Sequence, residues 1–406
     1  MTISPDTLAA LRSDAAAQLP SLVELRRALH RTPEIGLDLP TTQQLVLDAI
    51  ALLGLEVSTG SGLSSVVAVL RGGRPGPAVL LRGDMDALPV SEDSGEPFTS
   101  ERDGVMHACG HDLHVAGLVG AARLLADRRD QLAGDVVLMF QPGEEGDHGA
   151  RLMIEEGVLD AAGSRVVAAY ALHVVSAVQP AGLVASRPGT MLAAADSVVV
   201  TVHGRGGHGS MPHLAADPVP VAAEIVLALQ AMVTRQFDVF DPVVVTVGKI
   251  AAGTTHNVIG STAVLEATVR SFSDATHAVV PERLTRVVEG IAAAHGLTAT
   301  VDYRRGYPVT TNAPAEVDRV SGLVRGMFGE HAYVTAPQPM SGAEDFSYVL
   351  QEVPGVYVGL GATPVGEDPA TAPFNHSAQA RFAEESLAVG PAVLAALAMD
   401  RLAEGV

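Results

Sequence analysis

The chain is poor in residues that several common chemistries require. Among its 406 residues are one cysteine, Cys109, one lysine, Lys249, and no tryptophan, and aromatic residues make up only 4%. A single cysteine excludes an internal disulfide framework and suits a reducing cytoplasm. No glycine-rich phosphate loop precedes Lys249, which argues against a Walker-type nucleotide site and against Schiff-base chemistry. The chain also lacks a Gly-x-Ser-x-Gly segment, so a serine hydrolase of the common α/β type is not favoured.

Positive charge is scarce as well. Lysine and arginine total 26 against 46 aspartates and glutamates, which gives a formal net charge of −20. Nucleic acids and anionic membranes both need clustered positive charge, so we expect neither as a partner. The first residues show no signal pattern, and no uninterrupted apolar run is long enough to span a bilayer. We therefore expect a soluble, cytoplasmic protein of two to three domains.

Helical and strand patterns alternate along much of the chain. An amphipathic stretch at Leu8–His30 and apolar strands such as Ala78–Leu81 belong to an alternation that is typical of a largely parallel sheet covered by helices. Residues 188–303 instead follow the order strand-helix-strand-strand-helix-strand of a ferredoxin-like unit. We predict an α/β domain formed by residues 1–187 and 304–406, with a ferredoxin-like α+β domain inserted between them.

The segment Met106–His114 contains the only cysteine and three of the fourteen histidines. Thiolate and imidazole are ligands that a borderline-soft divalent ion prefers. We expect Cys109 and His111 at the start of a helix spanning Leu113–Leu125, where the helix dipole would favour the thiolate. Residues two apart on a regular helix point to nearly opposite sides, so a shared ion requires irregular backbone here. The alternative is a buried structural cysteine beside exposed histidines.

Two adjacent carboxylates follow another predicted strand. Glu144 and Glu145 lie in the glycine-flanked segment Gln141–Gly146. Neighbouring side chains point in different directions, so one carboxylate can bind an ion while the other takes a proton from a water. That division of roles suits metal-assisted hydrolysis. A solvated acidic turn is the alternative, since glutamate is mostly exposed in proteins.

Further candidates stand at the ends of other segments. His173 ends an apolar strand, where a core histidine with a satisfied hydrogen bond is the alternative to a ligand. His376 precedes the last helix and becomes a candidate once other ligands are present. Asp84 and Asp86 follow a strand, and such carboxylates often orient ligand imidazoles. Their spacing does not decide which one faces the site.

The segment Gly204–Gly209 matches the Gly-x-Gly-x-x-Gly dinucleotide pattern, which would indicate a nicotinamide-dependent oxidoreductase. Pro212 and Pro218 delay the next helix, and the following strand ends at Gly248-Lys249 rather than at an acidic residue that could bind the ribose. We interpret the segment as a flexible loop that presents His208.

Together these residues resemble the metal-dependent aminoacylase/carboxypeptidase superfamily, and its amidohydrolase branch in particular, over nearly the whole chain. Each matching segment is weak alone, and their order makes the resemblance specific. The matching segments are Gly83–Pro89, Met106–His114, Gln141–Gly146, His173, Gly207–Pro212, Gly253–Ile259, Gly342–Phe346 and Asn375–Ser377. Gly260 and Ala378 stand where this family often has proline.

The resemblance implies roles for individual residues. The implied ligands of one or two divalent ions, zinc or manganese before cobalt or nickel, are Cys109, His111, Glu145, His173 and His376, with Cys109 as the bridge. Glu144 is implied as general base, His208 as a donor to the oxyanion in a partner subunit's site, and Asp86 as a further catalytic residue. Asn257 and Arg270 are implied as substrate contacts, and the inserted domain as the dimerisation surface.

The resemblance implies hydrolysis of the amide bond of small N-acyl amino acids, of N-acetyl, N-benzoyl or indole-acyl type, by a homodimer or a higher oligomer. Within the same superfamily, a dipeptidase and a deacetylase of an N-acetyl-diamino acid are the alternatives. The distant alternative is the nicotinamide-binding oxidoreductase.

Overall fold

The computed structural model describes residues 3–404. Its helices are α1 (Pro5–Arg31), α2 (Pro40–Ile50), α3 (His111–Ala126), α4 (Gly149–Glu155), α5 (Pro218–Gln236), α6 (Asp274–Ala294), α7 (Pro314–Phe328), α8 (Ser347–Glu352) and α9 (Gly390–Ala403). Its strands are β1 (Glu56–Thr59), β2 (Val66–Leu70), β3 (Arg74–Asp84), β4 (Ala133–Gln141), β5 (Val166–Pro180), β6 (Val184–Ser186), β7 (Gly189–Leu192), β8 (Ala194–His203), β9 (Gly207–His208), β10 (Val243–Ala252), β11 (Val258–Ile259), β12 (Thr262–Ser271), β13 (Thr298–Tyr307), β14 (Thr310–Asn312), β15 (Tyr333–Thr335) and β16 (Gly355–Thr363).

The chain divides into two compact units. The first comprises residues 1–189, 311–338 and 345–406, and the second comprises residues 190–310 and 339–344. Compared with the predicted inserted segment, 188–303, the second unit extends further along the chain. It also takes in a short segment that lies far beyond it in the sequence.

An eight-stranded sheet forms the centre of the first unit, in the order β1-β2-β4-β3-β5-β16-β6-β15. The inner neighbours β4-β3, β3-β5 and β5-β16 are parallel. Antiparallel pairs occur towards the edges, where β2 pairs with β1 and β4, and β6 pairs with β16. The prediction of a largely parallel sheet in an α/β protein is confirmed.

Helices α1 and α3 lie against each other in the core of the first unit. The side chain of Ser4 caps α1 by accepting a hydrogen bond from the backbone N–H of Thr7, and Pro5 occupies the first turn, where its missing N–H costs nothing. Nearly all of α3 is buried, and small residues allow neighbours to approach closely. A Cβ at Gly120 would lie 2.8 Å from Leu22 of α1 and 2.9 Å from Pro391 of α9.

The second unit has the order strand-helix-strand-strand-helix-strand, formed by β8, α5, β10, β12, α6 and β13. Its antiparallel sheet has the order β10-β12-β8-β13, which is that of a ferredoxin-like fold. Helix α5 begins at Pro218, directly after Asp217. The reason is a cap, since the side chain of Asp217 accepts a hydrogen bond from the N–H of Val219.

Two helical stretches, Pro218–Gln236 and Glu384–Ala403, are long and apolar enough by length and composition to cross a membrane. Both contain charged residues, such as Glu224 and Asp400, so neither is an uninterrupted apolar run. Core helices meet the same criteria. The share of the most apolar window that is buried inside the protein is 33% for Pro218–Gln236 and 78% for Glu384–Ala403.

We predict that Leu118→Ala, in the buried centre of α3, destabilises the protein by about 2–5 kcal/mol because it leaves a cavity. The control is Leu52→Ala, since Leu52 is 98% exposed and its truncation is expected to cost less than about 0.5 kcal/mol. Urea unfolding followed by circular dichroism measures both. Equal midpoints for the two variants would contradict this account of the core.

Candidate metal centre

The chemically important side chains of the first unit gather at one edge of its sheet. β3 ends at Asp84, β4 ends shortly before Glu144 and Glu145, and β5 contains His173. Because these three strands are parallel to one another, their carboxyl ends open on the same edge. The N-terminus of α3, which begins at His111, contributes to the same edge.

The structure brings all five predicted ligands together: Cys109, His111, Glu145, His173 and His376. Sγ of Cys109 lies 3.4 Å from Nε2 of His173, and Nε2 of His376 lies 3.1 Å from Oε1 of Glu145. The possible donor atoms of Cys109, His111 and His173 lie within 4.8 Å of one another, as do those of Cys109, Glu145 and His376. Cys109 belongs to both groups, which is the position a bridging ligand needs.

The hydrogen bonds of His111 and His173 use Nδ1 of each ring and leave Nε2 available to bind an ion. Nδ1 of His111 donates to the carbonyl oxygen of Asp86 at 2.8 Å, and Nδ1 of His173 donates to the carbonyl oxygen of Val174 at 2.8 Å. Within residues 3–404, the buried Nε2 of His111 has no hydrogen-bond partner, and the buried Oε1 of Glu145 has the ion-pair contact with Nε2 of His376 but no hydrogen bond of good geometry. Buried polar atoms are normally paired, so these two fit a divalent cation.

The electrostatics of the cluster also favour a cation. Burial opposes a charge on His111, but the attraction of Asp84 and Cys109 and the hydrogen bond to Asp86 together outweigh it and raise the pKa of this imidazole well above its usual value. Burial likewise opposes ionisation of Glu145, and contacts with His376 and His111 nevertheless lower its pKa. The pocket thus stabilises positive charge among its carboxylates, which a divalent ion supplies.

The expectation that the start of α3 favours the thiolate of Cys109 is wrong, because the surrounding protein groups by themselves favour the neutral thiol. The helix begins at His111, two residues before the predicted Leu113, with Gly110 before it. However, burial raises the pKa of Cys109 to about 12 and outweighs the opposing effect of His111. The thiolate that a metal site needs therefore depends on the cation itself, because metal binding displaces the thiol proton.

Asp86 orders the turn that carries the two glutamates. Its Oδ1 accepts the backbone N–H of Glu144 at 3.0 Å, and its Oδ2 accepts that of Glu145 at 2.9 Å. Both carboxylate oxygens are thereby used inside the protein, and Asp86 is 1% exposed. Its side chain thus positions Glu144 and Glu145, which is a different task from the catalytic one implied by the resemblance.

His114, to which sequence reasoning assigned no role, is a support for His173. Its Nδ1 lies 2.5 Å from Oδ1 of Asp84, and its Nε2 accepts the backbone N–H of Val174 at 2.8 Å. Both ring nitrogens are therefore occupied, so His114 does not serve as a ligand. The signal in the sequence was its spacing of three residues from His111, which places both on one face of a helix.

Asn375 connects three parts of the site. Its Nδ2 donates to the carbonyl oxygens of Cys109 at 3.1 Å and Val174 at 3.0 Å, and its Oδ1 accepts the N–H of Ser176 at 2.9 Å. The next residue, His376, has a left-handed φ of 72°, and its N–H donates to the carbonyl oxygen of Ala108. A left-handed conformation is uncommon for a residue other than glycine, so this turn is held by its surroundings.

A buried polar group supports the site from beneath. Arg82 donates to Asp84 at 2.5 Å, to Gln141 at 2.8 Å and to Asp345 at 3.1 Å. Nε2 of Gln141 donates to both carboxylate oxygens of Asp345 at 2.8 Å. Because the charges are paired and hydrogen-bonded, the group is stable inside the core.

In the second unit, the structure brings two predicted residues together and separates a third. β9 pairs with β11, so His208 lies opposite Val258, and the N–H of Gly209 donates to the carbonyl oxygen of Asn257. Arg270 lies near the far end of β12, which begins at Thr262. Eight residues of strand span roughly 26 Å. Arg270 therefore lies at the other end of β12 from the short connection that joins it to β11.

The chain matches a known protein family over most of its length. The model of peptidase family M20/M25/M40 matches residues 80–400. The chain belongs to this family. The resemblance inferred from the sequence is thereby confirmed, and the protein is a metal-dependent hydrolase.

Relatives of known name cover most of the chain. Thermostable carboxypeptidase 2 of Saccharolobus solfataricus is 37% identical over 97% of this chain and 98% of its own length. IAA-amino acid hydrolase ILR1-like 2 of Arabidopsis thaliana is 38% identical over 94% and 85%, respectively. N-acetyl-L-cysteine deacetylase of Bacillus subtilis is 37% identical over 84% and 80%.

A solved structure of the M20 family has the same fold. The YXEP protein of Bacillus subtilis, described as a dinuclear metal-binding peptidase, matches with a TM-score of 0.81 and 31% identity. The match covers 96% of this chain and 99% of that one. The M20 fold therefore extends over nearly the whole chain.

We predict that Cys109→Ala weakens metal retention, because it removes the one donor shared by both ligand groups. Elemental analysis after dialysis against a chelator measures this loss, with the wild-type protein dialysed in parallel. Metal content equal to that of the wild type would remove Cys109 from the ligand set.

Proposed function

We propose that this protein hydrolyses the amide bond of small N-acyl amino acids, releasing a carboxylic acid and a free amino acid. The observation that carries the proposal is the position of Glu144. Its carboxylate lies in one cluster with donor atoms of His111 and Glu145, all within 4.8 Å of one another. The carboxylate of Glu144, close to these two predicted ligands, can take a proton from a water at the site and pass it on.

The residues of the site divide the chemistry between them. A bound divalent ion supplies Lewis acidity, which lowers the pKa of a water and polarises a carbonyl. Cys109, His111, Glu145, His173 and His376 would hold it. Glu144, which is 6% exposed and receives the N–H of Asp345 at 3.4 Å, takes the proton of the attacking water and returns it to the leaving nitrogen.

His208 suits the role of oxyanion donor. The N–H of Ser210 donates to Nδ1 of His208 at 3.1 Å. In the neutral imidazole the proton then lies on Nε2, which can donate to a developing negative charge. Asn257, on the neighbouring segment, is placed to contact the same substrate, and the role of Arg270 at a substrate carboxylate stays a prediction.

We further propose that two copies associate through the second unit and that His208 serves the site of the partner. β10 is an edge strand of the sheet and is largely exposed from Lys249 onward. Ile250 on this strand and Leu227 on α5 are 56% and 72% exposed. Exposed edge strands with apolar neighbours are templates for pairing with a second chain.

The substrate class follows from the named relatives, which act on amide conjugates of amino acids according to their names. A dipeptidase is the alternative that the name of the carboxypeptidase relative supports.

The glycine-rich segment at Gly204 does not lead into a helix, since α5 begins only at Pro218. It therefore lacks the helix N-terminus of a dinucleotide site. A reducing cytoplasm suits an enzyme whose only cysteine is a ligand.

We expect the metal-loaded enzyme to hydrolyse at least one of N-acetyl, N-benzoyl and indole-acyl amino acids faster than dipeptides with a free amine. Glu144→Gln is the matched control, because it keeps the size of the side chain and removes the base. Its turnover should fall at least about 100-fold while its metal content stays unchanged. Release of the free amino acid measures both. Preference for dipeptides would overturn the substrate class, and a near-normal rate of Glu144→Gln would overturn the base.

Complementation tests the shared site. Glu144→Gln and His208→Ala are each expected to be nearly inactive. In a mixed dimer, the subunit with intact Glu144 receives an intact His208 from its partner, so one of the two sites regains activity. Co-refolded or co-expressed mixtures, compared with each variant alone, measure the recovery. No recovery in a purified mixed dimer would show that His208 acts within its own subunit.

A further inference from the structure

A group of buried charges lies beside the candidate metal centre and takes no part in the chemistry described above. Oδ2 of Asp112 accepts hydrogen bonds from Nε of Arg26 and Nδ1 of His30, both at 2.7 Å. Nε2 of His30 lies 3.2 Å from Oε1 of Glu92. Arg26, His30 and Asp112 are each at most 2% exposed.

The contacts of His30 require that its ring carry a positive charge. Both of its nitrogens face carboxylate oxygens, which only accept hydrogen bonds, so both must carry protons. Burial opposes this charge, but the attraction of Asp112 and the hydrogen bonds to Asp112 and Glu92 outweigh it and raise the pKa of His30. In turn, Arg26 and His30 hold the pKa of Asp112 far below its usual value despite burial.

These charges connect helix α1 to the segments before and after the turn that contains Cys109 and His111. Arg26 and His30 are one turn apart on α1, and Asp112 directly follows the predicted ligand His111 in α3. Glu92 belongs to the long connection between β3 and α3, the same connection that contains Cys109. Glu92 is itself held in place, because Oε2 accepts the N–H of Ser100 at 2.7 Å.

A second contact links the same elements. The guanidinium of Arg26 lies over the ring of Phe98, with its carbon 4.5 Å from the ring centroid. The rings of His30 and Phe98 are nearly perpendicular, with their centroids 5.5 Å apart. Phe98 also belongs to the connection between β3 and α3. Arg26 and His30 therefore contact both the first turn of α3 and the connection that leads into it.

Burying four ionised groups is expensive, and well-packed apolar residues would stabilise a core at least as well. Buried, hydrogen-bonded charges do fix the relative orientation of the segments that carry them, because each donor must meet its acceptor. Here they fix the orientation of the turn that contains Cys109 and His111. In metal sites, groups that orient the ligands without touching the ion strongly influence affinity.

We propose that Arg26, His30 and Asp112 are positioning residues that hold the turn of Cys109 and His111 in its ion-binding conformation. The proposal rests on the assignment of Cys109 and His111 as ligands under the proposed function. It goes beyond that assignment by placing a determinant of metal retention on α1, a helix that contributes no ligand.

Asp112→Asn and His30→Gln test the proposal, because each keeps a similar volume and removes one charge. We expect both variants to lose Zn²⁺ or Mn²⁺ to a chelator at a concentration at least about tenfold lower than the wild type does. With excess metal, kcat should recover and KM should equal that of the wild type. Melting temperatures of the metal-saturated proteins show whether each variant is folded, and His30→Gln carries the test if Asp112→Asn does not fold.

Arg27→Met is the matched control. Arg27 lies on the same helix, stacks over the same Phe98 ring at 4.7 Å and pairs with Glu384, while its hydrogen bonds among the described residues go to Glu384 rather than to Asp112. Its metal retention should equal that of the wild type. Equal loss of metal from Arg27→Met would mean that α1 acts by general stability, which overturns the proposal.

Cys109→Ala separates failure of this proposal from failure of the ligand assignment. If Cys109→Ala loses its metal while Asp112→Asn and His30→Gln retain theirs as the wild type does, the positioning role is wrong and the ligands stand. If Cys109→Ala also retains its metal, the ligand assignment fails, and the positioning role falls with it.

Discussion

Cys109 and His111 can face one ion only because the residue between them takes a conformation that other residues avoid. Gly110 has a left-handed φ of 84°, and a Cβ at this position would lie 2.5 Å from Val174 and 2.9 Å from Phe382. Glycine alone avoids both the backbone strain and the collision. The turn therefore directs the thiol and the imidazole to the same side, against the strand that carries His173, and the remaining ligands are arranged around that point.

The rest of the site depends on buried polar contacts that hold backbone as much as side chains. Asp86 receives two N–H groups of the glutamate turn, His114 receives the N–H of Val174, and Asn375 bonds to backbone groups on either side. An unsatisfied buried N–H is costly, so each contact strongly favours one path of the chain. Loops at the carboxyl edge of a parallel sheet lack the regular backbone hydrogen bonds that order the strands. Hydrogen bonds from these side chains order the loops instead.

Much of this was accessible from the sequence, and the misses have physical causes. Period and composition located the main strands and helices, because hydrophobic alternation reflects burial directly. The short strands β1, β6 and β15 were not predicted, because three or four residues are too few to show a period. The predicted effect on the thiol of Cys109 had the wrong sign because sequence shows the helix start but not the burial, and burial dominates there.

The sequence by itself determined the chemistry available to this protein: one thiol near three histidines, paired glutamates after a strand and the order of segments that identifies the M20 family. Only the tertiary structure decided which of these groups meet. It placed His173 and His376 beside Cys109, gave His114 and Asp86 supporting tasks, and joined Arg26 and His30 to Asp112. The reason is that contacts between residues tens to hundreds of positions apart depend on the packing of whole elements, which local pattern does not encode.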